Sequence, residues 1–96
     1  MLVVPASARL QALCHLNLVV SDRTDVPQRV MATCCRRQGT VVALVFSRGG
    51  AGGTAELELA VEIEPRLKRG LIDRIAGLVD VRAVVVRDRA ALGSGG

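Results

Sequence analysis

Few residues in this chain could do chemistry, and their spacing narrows what that chemistry is. The candidates are three cysteines (Cys14, Cys34, Cys35), one histidine (His15), and the short polar run Asp22-Arg23-Thr24-Asp25. A soft metal carried by thiolates needs two sulfurs able to pinch one ion, as in a Cys-x-x-Cys turn. Cys34 and Cys35 are adjacent, so on a helix they point about 100° apart, and Cys14 falls among apolar neighbours. The expectation is no metal site, with the thiols packed as small reduced apolar groups. An odd cysteine count also argues against a disulfide framework. His15 has no ligand or base partner at motif spacing and reads as a surface imidazole. No serine, cysteine or histidine stands at recognisable spacing from a base, so neither catalytic residues nor a cofactor are expected. The one enzymatic alternative is an acylphosphatase-like site, which needs a phosphate cradle with a positioned arginine and asparagine. Arg23 and Asn17 are its candidates, but Asp22 and Asp25 oppose an anion there.

Charge points away from nucleic acid. The net charge is +4, yet the arginines are spread from Arg9 to Arg89 with only Arg36-Arg37 adjacent. Counterion release rewards several phosphate contacts made together on one element. Phe46 is the single aromatic residue, too few for base stacking. The run Arg48-Gly49-Gly50-Ala51-Gly52-Gly53 resembles a phosphate loop in composition, but a strand pattern follows it where a helix would be required. It reads as a hairpin connection. No secretory signal and no stretch near 20 apolar residues is present, so a cytoplasmic protein without membrane partners is expected.

Periodicity supplies the elements that must position these residues. From Ala12 to Val20 the even positions are apolar, which predicts a strand with one dry face. Asp25 is placed to cap a helix from about Val26 to Gln38, with Pro27 in its first turn and Gly39 closing it in the left-handed conformation. The helix is expected to bury Val30 or Met31 with Cys34 and Cys35. Thr40–Ser47 is valine-rich and reads as a strand buried on much of both sides. Ala55, Leu57, Leu59, Val61 and Ile63 alternate with Glu56, Glu58, Ala60, Glu62 and Glu64, so a one-residue slip would bury four carboxylates. Pro65 opens a second helix whose stripe is Leu67, Leu71, Ile72, Ile75, Leu78 and Val79, and Val81–Val86 is the last strand.

Strand, helix, strand, strand, helix, strand is the split βαβ arrangement: an α+β, ferredoxin-like βαββαβ domain with both helices on one face of a four-stranded antiparallel sheet. One domain is expected over residues 12–87, with an N-terminal extension at 1–11 and a disordered Gly/Ser tail at 88–96. The apolar Thr40–Ser47 edge would leave backbone groups unpaired, which predicts a homodimer through Val42, Leu44 and Phe46.

With these elements in order, Leu78-Val79-Asp80-Val81-Arg82-Ala83-Val84 resembles the segment that closes the ACT domain of acetolactate synthase small subunits. Arg37-Gln38-Gly39 and the Glu56–Glu64 strand followed by Pro-Arg are similar to the single-domain members over about Cys14–Val86. The resemblance implies a non-catalytic regulatory subunit that activates a separate thiamine-diphosphate large subunit in branched-chain amino-acid biosynthesis. It further implies side-by-side pairing and an amino-acid effector, valine in that family, bound at Asp22, Arg23, Thr24, Asp25 and Val26. Val26-Pro27 stand where sensing members carry glycine, and proline removes an amide donor. The resemblance therefore implies activation more directly than inhibition by valine. A free-standing ACT-like metabolite-binding module serving another enzyme is the alternative.

Overall fold

Two ten-residue strands with strict alternation form the centre of the sheet. The protein is described by a computed structural model covering residues 12–87; the expected extension and Gly/Ser tail lie outside the described residues. β1 (Ala12–Ser21) and β3 (Thr54–Ile63) pair antiparallel along their whole lengths. Cys14 opposite Val61, Leu16 opposite Leu59, Leu18 opposite Leu57 and Val20 opposite Ala55 share one face, and all eight are buried. The opposite face carries Glu56, Glu58 and Glu62 opposite Val19, Asn17 and Leu13. The four buried couples follow the hydrophobic pattern, while Leu13 and Val19 remain exposed on the outer face.

β2 (Thr40–Ser47) flanks β3 and β4 (Val81–Val86) flanks β1, giving the antiparallel order β2-β3-β1-β4. α1 (Val26–Arg36) and α2 (Pro65–Ala76) complete the βαββαβ order. Their buried residues, Val26, Val30 and Cys34 from α1 and Leu71 and Ile75 from α2, join the apolar face of the sheet in one core. No helix among the described residues is long and apolar enough to cross a membrane.

Four local expectations are corrected. α1 buries Val26, Val30, Thr33 and Cys34, an i, i+4, i+7, i+8 stripe, while Met31 and Cys35 are exposed because one residue of helix turns a side chain about 100°. The buried Thr33 hydroxyl is satisfied by donating to the Arg29 carbonyl at 2.9 Å. α1 closes with Gln38, not Gly39, in the left-handed region (φ 68°). The Gly39 and Gln38 N–H groups donate to the Cys34 and Cys35 carbonyls, the pattern of a Schellman close. Gly39 is required by space instead: a Cβ there would lie 2.8 Å from Val61 Cγ1.

The third correction is at β2, where no residue is fully buried. It is an edge strand, and Val42 is an extra residue between the Val41–Val61 and Ala43–Ala60 pairs, a bulge. Past the bulge, Leu44 and Phe46 turn inward and pack against the core beside Val41, leaving Val42 and Val45 outside. Fourth, α2 ends at Ala76, so Val79 lies beyond the helix and is 92% exposed.

Leu71 is fully buried and Arg74, one turn on, is exposed. Leu71→Ala should cost about 2–5 kcal/mol and Arg74→Ala less than about 0.5 kcal/mol, read as a large and a negligible fall in the urea midpoint.

Candidate functional site

The start of the loop from β1 to α1 is fixed by backbone bonds to two other segments. Because Ser21 pairs with Thr54, the chain leaving β1 runs beside the glycine-rich hairpin, and the Asp22 N–H donates to the Gly53 carbonyl at 3.0 Å. The Ser21 N–H donates to the Asp80 carbonyl at 2.8 Å, tying the same corner to the start of β4. Gly53, with φ 72°, supplies a backbone conformation that a side chain would strain.

The side chains of the loop are organised as ion pairs. Arg48 Nε donates to Asp22 Oδ1 at 2.6 Å. Arg23 reaches Asp25 with both Nε and Nη2, at 3.2 and 3.3 Å. Asp25 in turn meets Arg29 Nη2 at 3.1 Å, and Arg29 Nη1 donates to the nearly buried Asp80 at 3.1 Å. An unbroken relay, Arg23–Asp25–Arg29–Asp80, thus runs from the loop to the foot of β4. Asp25 occupies the cap position of α1 but makes no side-chain cap bond, as its carboxylate is held by the two arginines. Pro27 lies in the first turn as the sequence suggests.

Of the five effector residues expected from the sequence, the structure brings Asp22, Arg23, Thr24 and Asp25 to one accessible loop, with Arg23 and Thr24 exposed. Val26 turns into the core and is 1% exposed, so it fixes the loop from below. Arg29, Arg48 and Asp80 join the loop's ion pairs and were not among the residues expected from the sequence. The Asp25/Arg29 i,i+4 spacing was a legible signal. Asp80 stood within the quoted closing motif, whose carboxylate now has a physical task. Arg48 reaches Asp22 only through tertiary pairing. Asn17 lies on the outer sheet face, away from the helices, so it does not converge with Arg23 as an acylphosphatase-like site requires.

Among the expected pairing residues, Val42 is outward while Leu44 and Phe46 are half-buried against the core. The cysteines form no disulfide, with Cys14 and Cys34 buried and Cys35 exposed, which corrects the expectation that all three are packed away. Burial pushes the Cys34 thiol up to about 11, with Cys35 and Cys14 adding to the effect. No cluster of three or more potential metal ligands exists among the described residues.

No protein-family model and no curated protein matches this sequence. Solved structures do. The ACT domain of GTP pyrophosphokinase from Chlorobium tepidum is similar with a TM-score of 0.64 and 13% identity, over 80% of this chain and 99% of that one. The acetolactate synthase small subunit of Thermotoga maritima gives a TM-score of 0.67 at 16% identity, over 78% of this chain and 47% of that one. This chain has the ACT fold. A homoserine dehydrogenase from Thiobacillus denitrificans shares it, with a TM-score of 0.66 and 16% identity over 81% of this chain but only 18% of the enzyme. In this ACT fold the paired loop lies at the corner where β1, α1 and the start of β4 meet.

Two measurements check the site. The Arg48 hydrogen bond, outweighing partial desolvation, holds the Asp22 carboxyl below the usual carboxylate range. A group depressed in the folded state contributes above its unfolded value and loses that contribution as pH falls through its folded one. NMR titration should find the Asp22 midpoint low, and Arg48→Gln should raise it toward the ordinary range. Separately, a disulfide exchange reagent at pH 8 should modify one thiol per native chain quickly, Cys35, and three in denaturant.

Proposed function

We propose that this chain is a non-catalytic regulatory module that binds a small zwitterionic effector at the β1–α1 loop, and that its specific role is as the small subunit of an acetolactate synthase. The observation that carries the binding half is the Arg23–Asp25 pair. A guanidinium and a carboxylate side by side at 3.2 Å match the carboxylate and ammonium of an amino acid. Both are accessible, with 58% and 38% of their side chains exposed, and an exposed pair is worth only about 0–1 kcal/mol. Exchanging it for bonds to a ligand therefore costs little. Arg29 and Asp80 keep Asp25 in position when Arg23 turns to a ligand.

The acetolactate synthase reading draws on the quoted closing motif around Asp80 and on the similarity to a small subunit of that enzyme. On this reading the partner is the thiamine-diphosphate catalytic subunit, the chain works as a homodimer paired at the β2 edge, and regulation is linkage: an effector favours whichever arrangement it binds better. Pro27 lacks an amide that a carboxylate could use, so stimulation of the partner is the main activity and valine inhibition is weak. A free-standing module serving another enzyme is the second reading.

Reconstitution tests the specific role. Added to a cognate large subunit, the protein should raise acetolactate formation several-fold and show none alone; no stimulation by the folded protein moves it to the second reading. Calorimetry with valine and other amino acids tests the loop, where Asp25→Ala should abolish whatever binding is found. Sedimentation at tens of micromolar should show a dimer that Val42→Lys, exposed in the single chain, weakens without unfolding it.

A further inference from the structure

Arginines that are scattered along the sequence converge on the helix side of the molecule. Between the last turn of α1 and the outward side of α2 lies an open groove made of three adjoining hollows of about 210, 410 and 390 Å³. Arg37 borders all three, Arg36 and Arg74 each border two, and Arg66 closes one end. Leu67 and Leu78, half-buried, contribute apolar lining. The Arg37 guanidinium rests close against α2: a Cβ at Gly70 would lie 3.4 Å from its Nη2.

The charges of this groove are only partly compensated from within. Arg66 is held by Glu64 at 2.9 Å, and Arg36 makes one long bond, 3.5 Å, to the Thr33 hydroxyl. Arg37 and Arg74 make no side-chain ion pair among the described residues, and Asp73 is the one carboxylate on the lining. Four guanidinium groups thus face two carboxylates, Glu64 and Asp73. The loop described above is the opposite case, with each of its arginines already paired.

We propose that this groove is a second binding site, distinct from the loop, for the diphosphate group of a small metabolite. Guanidinium forks bind phosphate oxygens in pairs, and a diphosphate concentrates about three negative charges within a few ångströms, enough to engage more than one fork at once. A single carboxylate satisfies one fork and leaves the remaining cations repelling one another. The apolar lining gives the organic remainder of such a metabolite a place to rest. A nucleic-acid strand is disfavoured because the chain's one aromatic residue, Phe46, packs against the core on β2, leaving no stacking surface in the groove. The site stands whether or not the loop binds an effector.

The test uses calorimetry on the full chain, at fixed ionic strength, with inorganic diphosphate, orthophosphate, citrate and a single-stranded RNA as titrants. Diphosphate should bind once per chain, at least tenfold tighter than orthophosphate or citrate. Arg37→Ala and Arg74→Ala should each weaken it fivefold or more, whereas Asp25→Ala in the loop should not. Gly70→Glu sets a carboxylate against Arg37 at a helical position that favours glutamate over glycine, so it should abolish binding without lowering the melting temperature. Citrate binding as tightly as diphosphate, RNA binding more tightly, or folded arginine variants that bind like the parent would each overturn the assignment.

Discussion

The register of β1 on β3 is the constraint on which the rest depends. Ten consecutive pairs lock four buried couples on one face and keep Glu56, Glu58 and Glu62 on the other. Slipping by one residue would bury carboxylates, each at a cost of several kcal/mol, so the ladder has one acceptable alignment. That alignment sets Ser21 opposite Thr54, which delivers Asp22 to Gly53 and within reach of Arg48. The loop geometry is thus a consequence of apolar alternation in β1 and in β3, the latter distant from it in the chain.

Electrostatics then divides the helix-bearing side of the molecule into two kinds of surface. At the β1–α1 corner, Arg23, Asp25, Arg29 and Asp80 compensate one another, and the net field is small. In the groove between the helices, positive charge is left over. Exposed pairs such as Arg23–Asp25 contribute little to stability, so, the nearly buried Asp80 apart, neither surface is needed to hold the fold. Their contrast matters for recognition: a balanced pair suits a neutral zwitterion, and an excess suits a multivalent anion.

Much of this architecture was legible in the sequence because period-two and period-3.6 patterns survive in single elements. The alternation from Ala55 to Ile63 gave a strand, a face and a register; Leu71 and Ile75 gave the buried side of α2. Asp22 to Asp25 were legible as a loop between a strand and a helix. What periodicity cannot carry is a residue count that changes mid-element or a contact made by another segment. Val42 breaks the parity of β2, so Leu44 and Phe46 face opposite to the side an unbroken count from Val42 would give. Gln38, not Gly39, is the left-handed residue, and Gly39 is needed instead for a close approach to Val61 on another strand, which no local pattern shows. The convergence of Arg37 and Arg74 needs α1 and α2 to lie side by side, and no linear spacing encodes it.

Bulges interrupt both edge strands of the sheet among the described residues, not β2 alone. In β4 the pairing with β1 steps from Val19–Ala83 to Val20–Val81, leaving Arg82 as the extra residue, just as Val42 is on the far side. A bulge twists its strand and disrupts the even row of donors and acceptors that a further strand would use. Each edge therefore offers only a short straight run, and one of its interruptions carries a permanent charge. A sheet bounded in this way can accept a neighbour over a few residues but gives no template for indefinite addition. Chains this small and rich in valine risk growing into fibrils, and here two single-residue insertions act as the stops at either end.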